Sequence, residues 1–138
     1  MPAAYLTRAV TFSATHRYFK SAWSAARNAE SFGGAAQEHG HEYRCEVTVK
    51  GTPAAGTGMV VDLALLDRLL ADEVVRRFDH RRLHEDVAEF SDGKAIPTGE
   101  MLCLDIWARV APKLPAGCSL VSVRVLEDAN LWAEYRGE

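Results

Sequence analysis

The sequence lacks several features that would assign it to a broad class of protein. Its 138 residues contain no apolar run long enough to cross a membrane, and residues 1–8 have no apolar segment typical of a signal peptide. There is also no basic run, and the net charge is −3 with a pI near 5.9. We therefore expect neither a nucleic-acid partner nor a membrane partner.

Cysteine is also scarce. Cys45, Cys103 and Cys118 are odd in number, widely spaced and outside any C-x-x-C pattern. Such a set does not form a disulfide framework and is typical of a reducing compartment. Internal repeats and low-complexity linkers are absent as well. The sequence thus predicts one cytoplasmic domain that spans residues 1–138.

Two-residue alternation marks the segment 39–50. His39, His41 and the apolar residues that follow them share one face, whereas the other face is mainly charged. This pattern predicts a half-buried antiparallel strand. The two histidines lie about 7 Å apart along such a strand, which lets both imidazoles converge on one cation.

A third histidine ends another alternating segment. Residues 10–16 predict a strand whose inward row finishes at His16. If the two strands pair antiparallel, His16, His39 and His41 can meet; we call these three residues the histidine triad. Three neutral imidazoles with a fourth position open are the pattern of a catalytic zinc site. The alternative is that they are separate buried histidines.

The rest of the chain predicts two helices and two more strands. Residues 17–37 have no clean period and predict a long, partly ordered loop, whereas 59–61 predict a short strand. Asp62 can cap a helix that ends near Phe78. Its apolar stripe consists of Leu63, Leu66, Leu70, Val74 and Phe78.

A second helix follows Pro97, with Thr98 as its N-cap and Glu100 in its first turn. Alternation in 119–127 and 131–136 predicts two closing strands. The order β-β-α-α-β-β predicts an α+β domain, a four-stranded antiparallel sheet with two helices on one face. We expect oligomerisation to cover the open edges of this sheet. The core side of the second helix is predicted to carry Met101, Leu104, Ala108 and Ala111, with Leu102, Ile106 and Val110 adjacent.

Two further groups are candidates for chemistry. Asp79 can orient the neighbouring His80 and raise its basicity, as a general base requires, although adjacent Asp-His pairs are common by chance. Glu127 continues an apolar row, where an unpaired carboxylate is costly. It either pairs with an arginine, lies in solvent at the strand end, or accepts two parallel N–H bonds from a planar, guanidine-like ligand edge.

Six segments of the sequence occur in the same order in one known family. They are residues 12–17, 39–43, 58–62, 78–80, 97–100 and 123–127. The chain resembles the 6-pyruvoyl-tetrahydropterin synthase and 6-carboxytetrahydropterin synthase family over nearly its whole length. The resemblance implies the tunnelling fold, in which the sheets of three subunits join as a barrel. It also implies that two trimers stack as a homo-hexamer with active sites between subunits.

The resemblance also implies a function. The substrate is the small molecule 7,8-dihydroneopterin triphosphate or a related pterin, and Zn²⁺ is bound by the histidine triad. Glu127 anchors the amino-pyrimidinone edge of the pterin, and the segment with Thr98 and Glu100 lies beside it. Asp79 and His80 contribute to the catalytic base.

One position departs from the family pattern. The family's catalytic cysteine lies a few residues before His-Gly-His, where this chain has Ala35, and alanine cannot carry a proton. Glu38 is near in sequence, but its side chain is expected on the opposite face of the strand from His39. Two hypotheses follow. One is a zinc-dependent lyase that uses Asp79 and His80, and the other is a pterin-binding paralogue without the usual turnover.

Overall fold

The central feature of the computed structural model, which describes residues 2–91 and 93–138, is a five-stranded mixed sheet. The spatial order of its strands is β3-β1-β2-β4-β5. β1 pairs antiparallel with β2, β2 with β4 and β4 with β5, whereas β3 is parallel to β1. The strands are β1 (Ala4–His16), β2 (His39–Gly51), β3 (Arg81–Arg82), β4 (Cys118–Asp128) and β5 (Leu131–Tyr135).

Four helices accompany the sheet. α2 is continuous, with α-helical segments Leu63–Leu70 and Arg76–Phe78 joined by a π-helical turn, Ala71–Val75. The others are α1 (Ala25–Phe32), α3 (Leu83–Asp86) and α4 (Gly99–Val110). Short 3₁₀ segments cover Gly33–Ala36, Ala88–Phe90 and Ala111–Lys113. Among the described residues, no helix combines the length and apolar character needed to span a bilayer.

Both predicted helix caps are confirmed. The Asp62 carboxylate accepts a hydrogen bond from the Ala64 amide at 3.0 Å, and Thr98 Oγ1 accepts one from the Met101 amide at 3.1 Å. Each cap satisfies an amide of the first turn that has no partner within its own helix. The N-terminus of α4 is therefore held at a defined place beside the sheet.

The predicted α+β class is confirmed, but the predicted four-stranded antiparallel sheet with two helices is wrong in its details. β3 has only two residues, which is too short to show alternation, and it runs parallel because the chain returns from α2 to the outer edge of β1. Residues 59–61 form no strand. The observed element order therefore inserts α1 between β1 and β2, and β3 and α3 between the two long helices.

The segment 17–37 is more ordered than its sequence predicts. It contains α1, and the buried side chain of Asn28 ties the helix to the residues before it. The Asn28 Oδ1 atom accepts from the Lys20 amide at 2.7 Å, and its Nδ2 atom donates to the carbonyls of Lys20 and Ser24 at 3.0 Å. A single side chain thus replaces the regular backbone pairing that the segment lacks.

The core lies between one face of the sheet and the two long helices. From the sheet it takes the inward rows of β1, β2 and β4, and from α2 the residues Leu66, Leu70, Val74 and Phe78. Leu63, the first member of the predicted stripe, is 39% exposed and lies outside this core. The same inward rows carry the histidine triad and Glu127 at their ends.

The core face of α4 differs from the predicted one. Leu102, Ile106 and Val110 are fully buried, whereas Leu104 is 42% exposed and Ala108 is exposed. The helix is apolar around much of its circumference, so its sequence contains two stripes with the same period. Periodicity alone cannot decide between them because only contact with β4 and β5 does so.

A matched pair of leucine truncations tests this assignment. We expect Leu102→Ala to lower the free energy of unfolding by about 3 kcal/mol, since it leaves a cavity in the core. Leu104→Ala on the same helix should cost less than about 1 kcal/mol. Urea denaturation of both variants gives the comparison, and equal losses would contradict the observed face.

Candidate metal centre and ligand cavity

The register of β1 and β2 brings the histidine triad together. His16 is the direct partner of His39, and His41 lies opposite Ala14 in the same ladder. The candidate ligand atoms of the three imidazoles all lie within 4.8 Å of one another. The distances between ring centroids are 4.5 Å for His16 and His39 and 5.0 Å for each of the other two pairs. Convergence on one cation, expected from the alternation, is therefore possible within one chain.

The hydrogen bonds of the triad leave ring nitrogens available for a metal. His16 Nδ1 lies 2.7 Å from the Pro97 carbonyl oxygen, and His39 Nδ1 lies 2.8 Å from that of Gln37. A carbonyl only accepts, so each Nδ1 carries the proton and each Nε2 presents a bare lone pair. The Nε2 atoms of His16 and His41 are buried, and neither has a hydrogen-bond partner among the described residues. This donor set fits Zn²⁺.

Burial also keeps His16 neutral. Its pKa falls from 6.5 to about 4, mainly because burial penalises the charged ring, with smaller contributions from His39 and His41. The Pro97 carbonyl opposes this shift in part. Only a neutral imidazole can bind a metal, so near neutral pH His16 is in the form that a ligand requires.

Glu127 lies beside the triad at the end of β4. Its carboxylate is 8% exposed, with Oε1 3.9 Å from His16 Nε2 and Oε2 3.9 Å from His41 Nε2. Tyr18 donates a hydrogen bond to Oε1 at 3.3 Å. In the described part of the chain no arginine or lysine pairs with Glu127, so neither of its non-functional alternatives, an arginine partner or a solvated strand end, describes it. An almost buried carboxylate that lacks a cationic side chain is a binding group for a ligand.

A cavity of about 430 Å³ opens next to this carboxylate. Its lining includes Tyr18, Glu127, Trp132 and the first two residues of α4, Gly99 and Glu100. A Cβ atom at position 99 would lie 3.5 Å from the Ala133 side chain and 3.9 Å from Glu127 Oε1, so the glycine keeps this wall flat. The size and the flat walls suit a planar bicyclic ligand.

The other two predicted ligand-binding residues have different positions. Glu100 lines the cavity directly. Thr98 is buried in the cap of α4, where Oγ1 is used by the Met101 amide, and it is not part of the lining. Thr98 therefore positions the start of the helix, and its hydroxyl is already engaged.

Asp79 and His80 lie on the polar side of β1. Ser13 donates its amide to Asp79 Oδ1 at 2.9 Å, and its carbonyl accepts from the His80 amide at 2.7 Å. The His80 ring is 82% exposed and lies 3.5 Å from Asp79 Oδ2. Its backbone has a φ of 59°, in the left-handed region that non-glycine residues rarely adopt. The pair is rigidly placed, but its imidazole points away from the core face that holds the triad.

Neither residue of the loop before His39 offers a base. Glu38 accepts hydrogen bonds from Arg82 Nη2 at 2.7 Å and from Thr15 Oγ1 at 2.9 Å, on the face opposite the triad as expected. These contacts, those of Arg82 first, lower the pKa of Glu38 to about 2, so it holds no proton near neutral pH and binds one weakly. Ala35 presents only a methyl group, and its carbonyl accepts from the Tyr18 amide at 2.8 Å.

Two tyrosines of the site were missed in the sequence. Tyr43 places its hydroxyl 3.0 Å from His16 Nδ1, and Tyr18 contacts Glu127. Tyr43 follows His41 by two residues on the inward row of β2, so the alternation contained a signal for it. Tyr18 likewise follows His16 by two, but β1 ends at His16 and the next segment has no period that fixes its orientation.

Known proteins share this arrangement of sheet, helices and site. The family model for 6-pyruvoyl tetrahydropterin synthase matches residues 5–138. The chain belongs to this family. It is 35% identical to the human 6-pyruvoyl tetrahydrobiopterin synthase over 137 residues, covering 98% of this chain and 92% of that protein. It is 32% identical to the Bacillus subtilis 6-carboxy-5,6,7,8-tetrahydropterin synthase, covering 78% of this chain and 73% of that protein.

A solved structure supports the fold of the family member described here. The Caenorhabditis elegans 6-pyruvoyl tetrahydropterin synthase superimposes with a TM-score of 0.90 at 30% identity, covering 100% of this chain and 98% of that one. The family resemblance expected from the six sequence segments and the tunnelling fold that it implies are thereby confirmed.

Removal of one triad member should abolish metal binding. We expect His41→Ala to retain less than about a tenth of the zinc of the unaltered protein, because two imidazoles form an incomplete site. Elemental analysis after gel filtration measures this directly. His80→Asn, which suits a left-handed backbone, serves as the control and should keep its zinc. Full zinc in His41→Ala would remove this residue from the site.

The buried His16 should make the stability of the metal-free protein depend on pH. Because its folded pKa, about 4, is below the ordinary 6.5, the unfolded chain binds a proton that the folded chain refuses. The free energy of unfolding should therefore fall by about 2–3 kcal/mol as the pH is lowered from 6.5 to 4. Chemical denaturation of chelator-treated protein against pH measures this, and His16→Gln should lose this part of the slope. An unchanged slope in the variant would contradict the assignment.

Proposed function

We propose that this protein is a zinc-dependent lyase of the 6-pyruvoyl- and 6-carboxytetrahydropterin synthase type, acting on 7,8-dihydroneopterin triphosphate or a related pterin. The observation that carries this proposal is the adjacency of three convergent imidazoles and a buried carboxylate that faces a cavity of about 430 Å³. Family membership supports the reaction class.

Glu127 is proposed to orient the pterin. The amino-pyrimidinone edge presents two parallel N–H donors, which match the two oxygens of a carboxylate in a bidentate, charge-assisted arrangement. Burial strengthens such a pair because little water competes. Gly99 leaves room for the flat ring system beside Glu127, and Trp132 offers an aromatic wall. The pterin side chain would then extend toward the triad, which lies next to Glu127.

The triad is proposed to hold Zn²⁺ through His16, His39 and His41. When bound, the cation would supply Lewis-acid chemistry that acidifies hydroxyl groups of the substrate side chain. The protein's own contribution is to keep the imidazoles neutral and oriented. The Pro97 and Gln37 carbonyls do this through Nδ1 of His16 and of His39, and the phenol of Tyr43 contacts the former.

Asp79 and His80 are proposed to move the proton, and a neighbouring subunit would provide them. Asp79 Oδ2 lies 3.5 Å from the His80 ring, as a group that orients a general base requires. The ring is 82% exposed and on the polar face, so it is available to a second copy of the chain rather than to its own triad. This arrangement supports active sites between subunits.

The sheet supports the same oligomer. Within the described residues, β3 pairs only with Ala14 and Thr15, so the edge of β1 from residue 4 to 13 has no partner strand, and β5 forms the opposite edge. Joining β1 of one copy to β5 of the next would satisfy both edges. We propose a homo-hexamer built from two such trimers.

A second function, a pterin-binding protein without the usual turnover, is favoured by one specific observation. Ala35 has no ionisable group and Glu38 is held as a weak base by Arg82, so the loop before the triad contains no proton acceptor of ordinary strength. Such a chain would bind zinc and pterin but release its ligand unchanged.

A product assay separates the two functions. Zinc-loaded protein is mixed with 7,8-dihydroneopterin triphosphate and the products are followed by mass spectrometry, with Ala35→Cys run in parallel. We expect turnover by the unaltered chain, because His80 can act as base without a cysteine, and the product mass identifies the reaction. No turnover by the unaltered chain together with activity of Ala35→Cys would favour the binding protein. Failure of the unaltered chain to bind the pterin at all would overturn both.

A further inference from the structure

Tyr18 lies between the histidine triad and the ligand cavity and contacts both. Its hydroxyl donates to Glu127 Oε1 at 3.3 Å, and the residue lines the cavity. Its ring packs edge-on against those of His16 and His39, with centroid distances of 5.1 Å and 6.4 Å. The Tyr18 amide donates to the Ala35 carbonyl at 2.8 Å. Backbone and ring are thus held independently of the hydroxyl.

The carboxylate of Glu127 has two competing neighbours. On one side its oxygens lie 3.9 Å from the bare Nε2 atoms of His16 and His41. On the other side is the cavity. A cation bound at those nitrogens attracts a carboxylate at this range, and carboxylate oxygens are ordinary zinc ligands. In the described part of the chain, Tyr18 is the one hydrogen-bond donor to Glu127 and therefore the contact that opposes this attraction.

We propose that Tyr18 is a positioning residue that holds the Glu127 carboxylate toward the cavity and away from the metal. This inference rests on the proposed zinc and pterin binding. A carboxylate offers about four lone-pair sites, so a hydrogen bond from Tyr18 leaves enough acceptors for two parallel N–H donors of the ligand. The same contact keeps the fourth metal position open for the substrate side chain.

Tyr18→Phe tests the proposal because it removes the hydroxyl and keeps the ring. We expect the variant to bind an unreactive oxidised pterin, measured by fluorescence titration, about tenfold more weakly, the loss that follows from one charge-assisted hydrogen bond. It should also release zinc to a chelator several-fold more slowly, since Glu127 is then free to contact the metal. Zinc content itself should not change.

Further variants separate positioning from a general loss of structure. Tyr5→Phe, at the far end of β1, removes a hydroxyl in the same way and should change neither measurement. Glu127→Gln should weaken pterin binding, and combining it with Tyr18→Phe should abolish the slower zinc release. That reversal depends on the carboxylate, so a structural disturbance at Tyr18 would not produce it.

The outcomes distinguish this inference from the proposed function. Equal pterin affinity and equal zinc release in Tyr18→Phe and the unaltered protein would overturn the role of Tyr18. Weaker pterin binding without slower zinc release would also overturn it, since the carboxylate would not then compete for the metal. A protein that binds neither zinc nor pterin before any substitution would overturn the proposed function instead.

Discussion

The antiparallel pairing of β1 with β2 is the constraint on which the site depends. It sets His16 opposite His39, and a slip of one residue would move His16 to the polar face of the sheet. Apolar packing prevents such a slip, because Phe12 stacks on Tyr43 with ring centroids 4.8 Å apart and planes inclined by 11°. The contacts that stabilise the core therefore also determine the geometry of the metal centre.

The price of this arrangement is a set of buried polar groups with incomplete pairing. His16 is fully buried with a bare Nε2, and Glu127 has one long hydrogen bond and no cationic side chain beside it among the described residues. Such groups oppose folding, whereas a ligand or metal would satisfy them. The apolar residues of α2 and α4 supply the stability that tolerates them, which is why the site lies at the ends of core rows rather than in a surface loop.

The two faces of the sheet separate the two halves of the chemistry. Binding groups converge on the core face, whereas Glu38, Arg82, Asp79 and His80 occupy the polar face. Within one chain the proton-transfer pair does not share a face with the triad. Assembly of several chains is thus a requirement of the proposed lyase, and the substitution at Ala35 makes that requirement stronger because no cysteine can replace His80 locally.

Much of the molecule follows from the order of its residues. The inward rows of β1, β2 and β4, the stripe of α2, both helix caps and the triad were predicted, because side chains alternate along a strand and recur along a helix at fixed intervals. The family, too, was readable from short ordered segments. Periodicity describes one element at a time, so it could not show the partner of the two-residue β3, the buried face of α4 or the contact of Tyr18 with Glu127. These depend on residues distant in sequence meeting in space, and only the tertiary structure decided them.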